Sequence, residues 1–529
     1  MRFLPLFSVL VLAALCVVLG MKVRIDFLWG LVLLGPLALL GLWDMVQVRH
    51  SICRNYPIVA HLRFLFEAIR PEVHQYFVES DIDGRPFSRN QRSLIYERSK
   101  NIEGLKPFGT ELDVYGEEYE WLNHSMAPRP KSQEHFRTSV GGPDCKQPYS
   151  CSLLNISAMS FGALSPNALM ALNRGAKKGN FYHCTGEGGL SPHHLKYGGD
   201  LVWQVGTGYF GCRTIDGKFD PDLFRDQASH ESVKMIEVKI SQGAKPGHGG
   251  VLPASKISHE IAATRKVPMG QDCISPPGHS AFNSPRGLCE YIAQLRDLSG
   301  GKPIGFKLCI GHPVEFLSTC KAMIETGILP DFITVDGAEG GTGAAPPEFS
   351  DSIGAPLKGG LMFVHNALVG CDLRDRIKIA ASGKVASAFG IARNLAIGAD
   401  WCNAARGFMM AVGCIQAQTC HTNECPVGVA TQNARRQRAL NVADKAERTY
   451  HFHHSTMETL CEIVAAAGLD DPAQLQASNV YLRTSRVLAQ SYDEAFHFLK
   501  RGALLAEDDA KPIHRLWDMA SANAFQGTV

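Results

Sequence analysis

Two uncharged apolar runs open the chain, Phe3 to Gly20 and Phe27 to Trp43, split by the charged turn Met21-Lys-Val-Arg-Ile-Asp26. Each is near the lower length for a spanning helix, about 17 residues. The pattern predicts a membrane hairpin over residues 1–45. A cleaved signal peptide competes for the first run, but that run is long and a second one follows it. Residues 46–144 mix helical and polar stretches, broken at Gly84-Arg-Pro86, Lys106-Pro-Phe-Gly109 and Pro128-Arg-Pro130, and read as an accessory linker. From Leu153 onward short apolar runs alternate with helical stretches. The strands are expected at Leu154–Met159, Tyr182–Thr185, Leu201–Val205, Met235–Ile240, Ile304–Cys309, Phe332–Val335, Ile377–Ala380 and Trp401–Ala404. Helices are expected at Ser165–Lys178, Pro285–Leu298, Pro313–Thr326 and Val385–Ala396. Such alternation implies parallel strands with crossover helices. Eight strands within about 250 residues is the scale of an α/β fold of the (β/α)8 (TIM) barrel type. An open doubly wound sheet is the alternative. The barrel domain is placed at residues 145–467, followed by a helical extension over 468–529.

Charge adds little, and what it adds is an exclusion. The 529 residues hold 53 basic and 51 acidic side chains, so nothing points to nucleic acid as a partner. Sixteen cysteines, from Cys16 to Cys461, lack the dense spacing of a disulfide framework and fit a reducing compartment. Arg2 precedes the hairpin and Arg49, Arg54 and Arg63 follow it, against Lys22 and Arg24 in its turn. The positive-inside rule then favours both ends in the cytoplasm. The expected location is the inner (cytoplasmic) membrane, with the catalytic domain cytoplasmic.

The most specific chemistry lies at Cys414-Ile-Gln-Ala-Gln-Thr-Cys420-His-Thr-Asn-Glu-Cys425-Pro426. Thiolates are soft ligands that suit iron–sulfur clusters or zinc. Zinc would want a fourth ligand, and His421 sits too close to Cys420 to complete a tetrahedron easily. Three cysteines without a fourth point to a three-iron cluster, with three inert buried thiols as the alternative. Two loops suit a phosphate: Gly340-Gly341-Thr342-Gly343 after the sixth strand, and Ser382-Gly383-Lys384 after the seventh, leading into a helix. Lys307 falls inside an apolar strand, where a cation is costly unless it meets an anion such as a reduced flavin. The loop holding Lys239, Gln242 and Lys245 offers two cations and an amide to a dicarboxylate.

The run Cys414 to Gln432, with Cys-x5-Cys-x4-Cys-Pro-Val-Gly, resembles the cluster segment of the glutamate synthase large (alpha) subunit family. Lys239-Ile-Ser-Gln242-Gly-Ala-Lys245-Pro-Gly and Gly340-Gly-Thr-Gly-Ala agree with it. The similarity spans roughly Asp144 to Ala467, the family's synthase domain. It implies the barrel, FMN and a 3Fe–4S cluster held by Cys414, Cys420 and Cys425. Ser157, Ala158, Met159 and Ser160 resemble the segment that passes along the flavin ring. The resemblance assigns Lys239 and Gln242 to the substrate, Lys245 to the flavin and Glu187 to the reacting centre, so Glu187 and Lys245 are the expected catalytic residues. Lys307, Gly340, Gly341, Thr342, Gly343, Ser382, Gly383 and Lys384 complete the expected flavin site. The large-subunit form opens with a glutaminase whose nucleophile is an N-terminal Cys, whereas Met1-Arg2-Phe3 opens this chain. A stand-alone synthase domain, without the family's C-terminal β-helical domain, is therefore expected.

The implied reaction is reduction of 2-iminoglutarate, formed from 2-oxoglutarate and ammonia, to L-glutamate. Ammonia would come from solution or from a separate glutaminase subunit acting on glutamine. Electrons would come from ferredoxin, an NAD(P)H-oxidising subunit or a membrane carrier; no Gly-x-Gly-x-x-Gly fingerprint supports direct NAD(P)H binding. The family commonly has Glu-Gly-Gly and a polar residue after Lys-Pro-Gly, where this chain has His248 and Val251. A related flavin enzyme for another amino or keto acid, and a non-catalytic electron-relay subunit, are the other readings.

Overall fold

The computed structural model describes residues 2–506 and 511–526. It divides into two compact units, Met1–Asn90 and Gln91–Val529. Residues 46–90 thus belong with the apolar hairpin and 91–144 with the barrel, so the accessory region expected over 46–144 is not one unit.

In the first unit, helices Leu4–Lys22 and Leu31–Val46 are joined by a 3-10 turn, Ile25–Gly30. Leu4–Lys22 and the turn and second helix together, Ile25–Val46, are long and apolar enough to cross a membrane, with mean hydropathy of 2.6 and 2.0. Pro at the start of the first helix costs nothing, because its missing N–H would be unpaired there anyway. Asp44, buried near the end of the second, accepts from the Ile58 N–H at 2.9 Å and pairs with His61 Nε2 at 2.9 Å. The next long helix, Ala60–Val73, exposes Leu62, Leu65, Phe66, Ile69 and Val73, spaced three and four residues apart along one face.

The second unit is built on a closed eight-stranded parallel barrel. In chain order its strands are β1 Leu154–Ile156, β2 His183–Cys184, β3 Leu201–Val205, β4 Val233–Lys239, β5 Ile304–Leu308, β6 Phe332–Asp336, β7 Lys378–Ser382 and β8 Trp401–Ala404. The barrel closes where β8 pairs with β1, Cys402 opposite Leu154. The alternation-based strands all fall on barrel strands, which excludes the open sheet. Crossover helices start where the sequence signals them. Ser165, Ser284 and Ser387 each cap a helix by accepting a backbone N–H, and Pro166 and Pro285 follow the first two. Helix Val442–Ala466 packs over Pro166–Gly179, where a Cβ on Gly175 would meet Thr449 Cβ at 2.5 Å. Only glycine permits that approach.

The region after Ala466 departs from the helical expectation for 468–529. Val480–Arg483 pairs antiparallel with Ala489–Ser491 and with Glu120–Leu122, forming a three-stranded sheet. The pairing of Glu120–Leu122 with Val480–Arg483 joins segments far apart in the chain, so local pattern does not reveal it. Glu120 anchors the sheet to the barrel helices: its carboxylate meets Lys358, the Tyr492 hydroxyl and, at 2.8 Å, Arg393 Nη1. Burial pushes the Glu120 carboxyl up, but Arg393, Lys358 and Tyr492 outweigh it and hold it below the ordinary glutamate value. A carboxyl depressed on folding stabilises above its unfolded pKa, and that stabilisation is lost as pH falls through the folded pKa. Glu120→Ala is expected to cost about 3 kcal/mol at neutral pH, as removal of one partner of a buried pair does. The deficit relative to wild type should shrink in denaturant melts taken at progressively lower pH.

Candidate active site

Loops leaving the C-terminal ends of the strands enclose a cleft with about 1040 Å³ of empty space, part of it open to solvent. Catalytic sites of this architecture lie at that end. Glu187 enters from the loop after β2, Lys239 from the end of β4, and Gln242 and Lys245 from the loop that follows. Ala158, Met159 and Ser160 from the loop after β1 face Gly341, Thr342 and Gly343 from the loop after β6. With Cys420, eleven of the expected site residues therefore line one cavity.

Electrostatics sharpens the roles these groups can take. Lys239 Nζ lies 3.1 Å from Glu187 Oε1, both largely buried. Burial pushes the Glu187 carboxyl up, but Lys239, with help from Arg265 and Lys245, outweighs it and holds the pKa below the ordinary value. Glu187 is thus an ionised carboxylate, fit to take a proton rather than to give one. Burial lowers the Lys245 pKa, with Lys239 adding to it and Glu187 opposing. Lys245 Nζ donates to the Ala344 carbonyl at 2.9 Å, bridging the loop after β4 to the glycine loop. His279 holds the Lys239 backbone through Nε2 at 2.9 Å from its carbonyl; burial lowers the ring to about 4, so it is neutral and donates from that nitrogen.

Other expected residues sit elsewhere. Ser157 and Ser382 lie 3.3 Å apart at the barrel's closure, buried and outside the cavity lining. Gly383 and Lys384 turn the chain with φ of 154° and 47° and do not line the cavity either. Gly340 packs behind its neighbours, its N–H donating to the Gly337 carbonyl at 2.8 Å. Lys307 is buried against Asp336 Oδ2 at 3.2 Å. Burial opposes its charge, yet Asp336 and Glu237 outweigh that and hold its pKa above the ordinary lysine value. The anion Lys307 meets here is a protein carboxylate. His248 meets half-buried Phe349 edge to face and does not line the cavity, whereas Val251 does.

The cysteines occupy a loop between helices Arg406–Ala411 and Ala434–Arg438, turned by left-handed backbone at Gln416, Gln418 and Asn423. Cys425 is buried, Cys414 and Cys420 half-buried, and Cys420 reaches the cavity wall. Burial pushes Cys414 up to about 11 and raises Cys420, and each feels the charge of neighbouring cysteines. His421 is exposed. Among the described residues, two sets hold three His, Cys, Asp or Glu ligand atoms within 4.8 Å of one another, and this triad is not one of them. Tyr96 OH holds the loop at the Cys414 carbonyl, 2.8 Å away.

Several residues of the site escape a reading of the sequence. Arg406, directly after β8, lies against Gly341, where a Cβ would collide with its guanidinium. A cation two residues past the last strand is a usable signal that was available in the sequence. Lys256 and Arg265, the latter ending helix His259–Arg265 in the long excursion after β4, also line the cavity, and nothing local marks them. Gln204 and Glu237, hydrogen-bonded at 2.6 Å, are polar positions inside apolar strands, the same signal that singles out Lys307.

Comparison with known proteins shows the family. The family model "Conserved region in glutamate synthase" matches residues 138–470. The chain is 36% identical over 494 residues to "Glutamate synthase large subunit-like protein YerD" of Bacillus subtilis, covering 86% of this chain and 94% of that protein. It is 32% identical over 367 residues to "Archaeal glutamate synthase [NADPH]" of Methanocaldococcus jannaschii, covering 69% of this chain and 68% of the relative. A flavocytochrome b2 variant solved with pyruvate aligns over 84% of this chain and 93% of its own at a TM-score of 0.42 and 13% identity, a distant likeness. The chain belongs to the glutamate synthase family and is a glutamate synthase-type oxidoreductase of the class that acts on CH–NH2 donors.

Proposed function

We propose that the enzyme uses FMN and a 3Fe–4S cluster to reduce 2-iminoglutarate, formed from 2-oxoglutarate and ammonia, to L-glutamate. The observation that carries this reading is one cavity in which Lys239, Gln242 and Lys245 surround an ionised Glu187, with Cys420 in its wall. The donor set fits both groups. Gly341 to Gly343 with Arg406 would hold a phosphate, Ala158 to Ser160 would line the ring, and Cys414, Cys420 and Cys425 would ligate iron. When bound, FMN supplies the hydride and the cluster supplies one-electron exchange with a ferredoxin-type or NAD(P)H-oxidising donor.

The remaining work belongs to the chain. Lys239 and Gln242 hold the carboxylates of the keto acid through charge-assisted and amide hydrogen bonds. A substrate carboxylate drawn to Lys239 competes with Glu187, releasing Oε1 to accept a proton as ammonium becomes the nucleophilic amine. Lys245, tied to the glycine loop, fixes the distance between substrate and flavin sides.

The apolar helices would anchor the enzyme in the inner membrane with the barrel in the cytoplasm. The exposed face Leu62, Leu65, Phe66, Ile69 and Val73 supports this, because a helix that follows a hairpin so closely would lay that face on the same lipid surface.

The test is anaerobic reduction of the purified full chain, then mixing with 2-oxoglutarate and ammonium while the flavin spectrum is followed. Rapid reoxidation with L-glutamate formed is expected. A flavin that stays bleached with this pair but reoxidises with a smaller apolar keto acid would overturn the substrate assignment. Val251 in the cavity wall makes that comparison informative.

A further inference from the structure

Four lysines are buried around the cavity or beneath it, and two have carboxylate partners: Lys239 with Glu187 and Lys307 with Asp336. Lys245 reaches a single carbonyl, that of Ala344, in the glycine loop. Lys256 differs from all three. It is 3% exposed, and among the described residues no carboxylate lies within salt-bridge distance of it. A lysine is rarely buried that far without an anion. Its three donors are instead spent on three carbonyls: Ala163 at 2.9 Å, Ala430 at 3.2 Å and Cys420 at 3.3 Å. Those carbonyls belong to three different segments. Ala163 lies in the loop after β1, Cys420 is in the middle of the cysteine loop, and Ala430 is where that loop returns to the barrel. Carbonyl dipoles share the charge without cancelling it.

Building on the cluster reading above, we propose that Lys256 is a positioning residue for the iron–sulfur site. It ties the cysteine loop to the flavin-side loop after β1, and it brings an ammonium group without a carboxylate partner to the cavity wall that the thiolate-ligated cluster would meet. A cation held beside a cluster favours the more negative, reduced form, so it raises the reduction potential; charge and hydrogen bonding around the sulfurs are the protein's usual means of setting that potential. Lys256 sits on the same excursion from β4 that carries Lys239, Gln242 and Lys245, so one loop serves the substrate at its start and the cluster at its end.

The test compares the full-length wild type with Lys256→Met, Lys256→Gln and Lys256→Arg, purified anaerobically, by iron and sulfide content and by an EPR-monitored redox titration. Met removes charge and donors, Gln keeps a donor for the Cys420 carbonyl, and Arg keeps the charge. The expected result is a fall in the cluster's midpoint potential for Met and Gln that changes its electron-sharing equilibrium by about tenfold, about 59 mV for a one-electron couple. Arg should restore most of the shift. If Met fails to load iron, Gln reports the charge effect alone. A loaded cluster whose potential is unchanged in both neutral variants overturns this inference and leaves the cluster reading standing. A wild type that holds no iron overturns the cluster reading, and this inference falls with it.

Discussion

Glu187→Gln should lower the rate of glutamate formation by about 10²–10⁴-fold, the range of a positioned acid–base group, while FMN remains fully reducible. Glutamine keeps the size and can still accept from Lys239, but it cannot hold a proton between ammonium and the keto carbon. Stopped-flow reoxidation by 2-oxoglutarate and ammonium measures the loss, and reduction of the flavin by dithionite is the control. The wild type also makes a pH prediction. Because Lys239, Arg265 and Lys245 depress the Glu187 pKa, the carboxylate stays ionised down to a pH below that of an ordinary glutamate. Activity lost through protonation of Glu187 should therefore appear only below that ordinary range as pH falls. Were Glu187→Gln to retain near-wild-type rates, the chain would act as an electron relay and the reacting centre would lie elsewhere.

Cys420→Ser is expected to remove most of the iron and to slow flavin reduction by a ferredoxin-type donor about 100-fold or more. Even outer partners of a metal site are worth about 10–100-fold, and a ligand exceeds them. The half-reaction of chemically reduced FMN with 2-oxoglutarate and ammonium should survive, because Cys420 touches the cavity only at its wall. Iron analysis and the two half-reactions, run separately, distinguish loss of electron entry from loss of the substrate site. Equal damage to both half-reactions would mean that the cysteine loop shapes the substrate pocket itself.

The barrel could be read from the sequence because each parallel strand is a short apolar run between helix signals, and each signal acts locally. Helices Pro285–Leu298 and Pro313–Thr326 begin and end where Pro and the apolar period place them. Glu187, Lys239, Gln242 and Lys245 could be found because they follow strands and a family motif quotes them. Lys307 shows where this kind of reading stops. Its polarity inside a strand is visible, but its partner depends on how β5 registers against β6, with Leu308 opposite Val335, which brings Asp336 near Lys307. The strands Glu120–Leu122 and Val480–Arg483 stayed hidden for the same reason, since three or four residues gain stability only by pairing across the chain. Lys256 and Arg265 act through folded-back loops, and no spacing rule marks a loop cation that meets carbonyls.

The closure of the barrel also sets an order of events during synthesis. β1 has no partner on its β8 side until Trp401–Ala404 has emerged, and the sheet around Glu120 waits for Val480–Arg483 and Ala489–Ser491. At about 5–20 residues per second, the roughly 250 residues between β1 and β8 take on the order of 10–50 s to translate. Throughout that interval an edge of β1 is unpaired, while the hydrophobic hairpin has already left the ribosome. Cys414 emerges only just after β8. The three thiols therefore become available only as the barrel closes, so a metal taken up by them would meet a nearly finished domain rather than a growing chain.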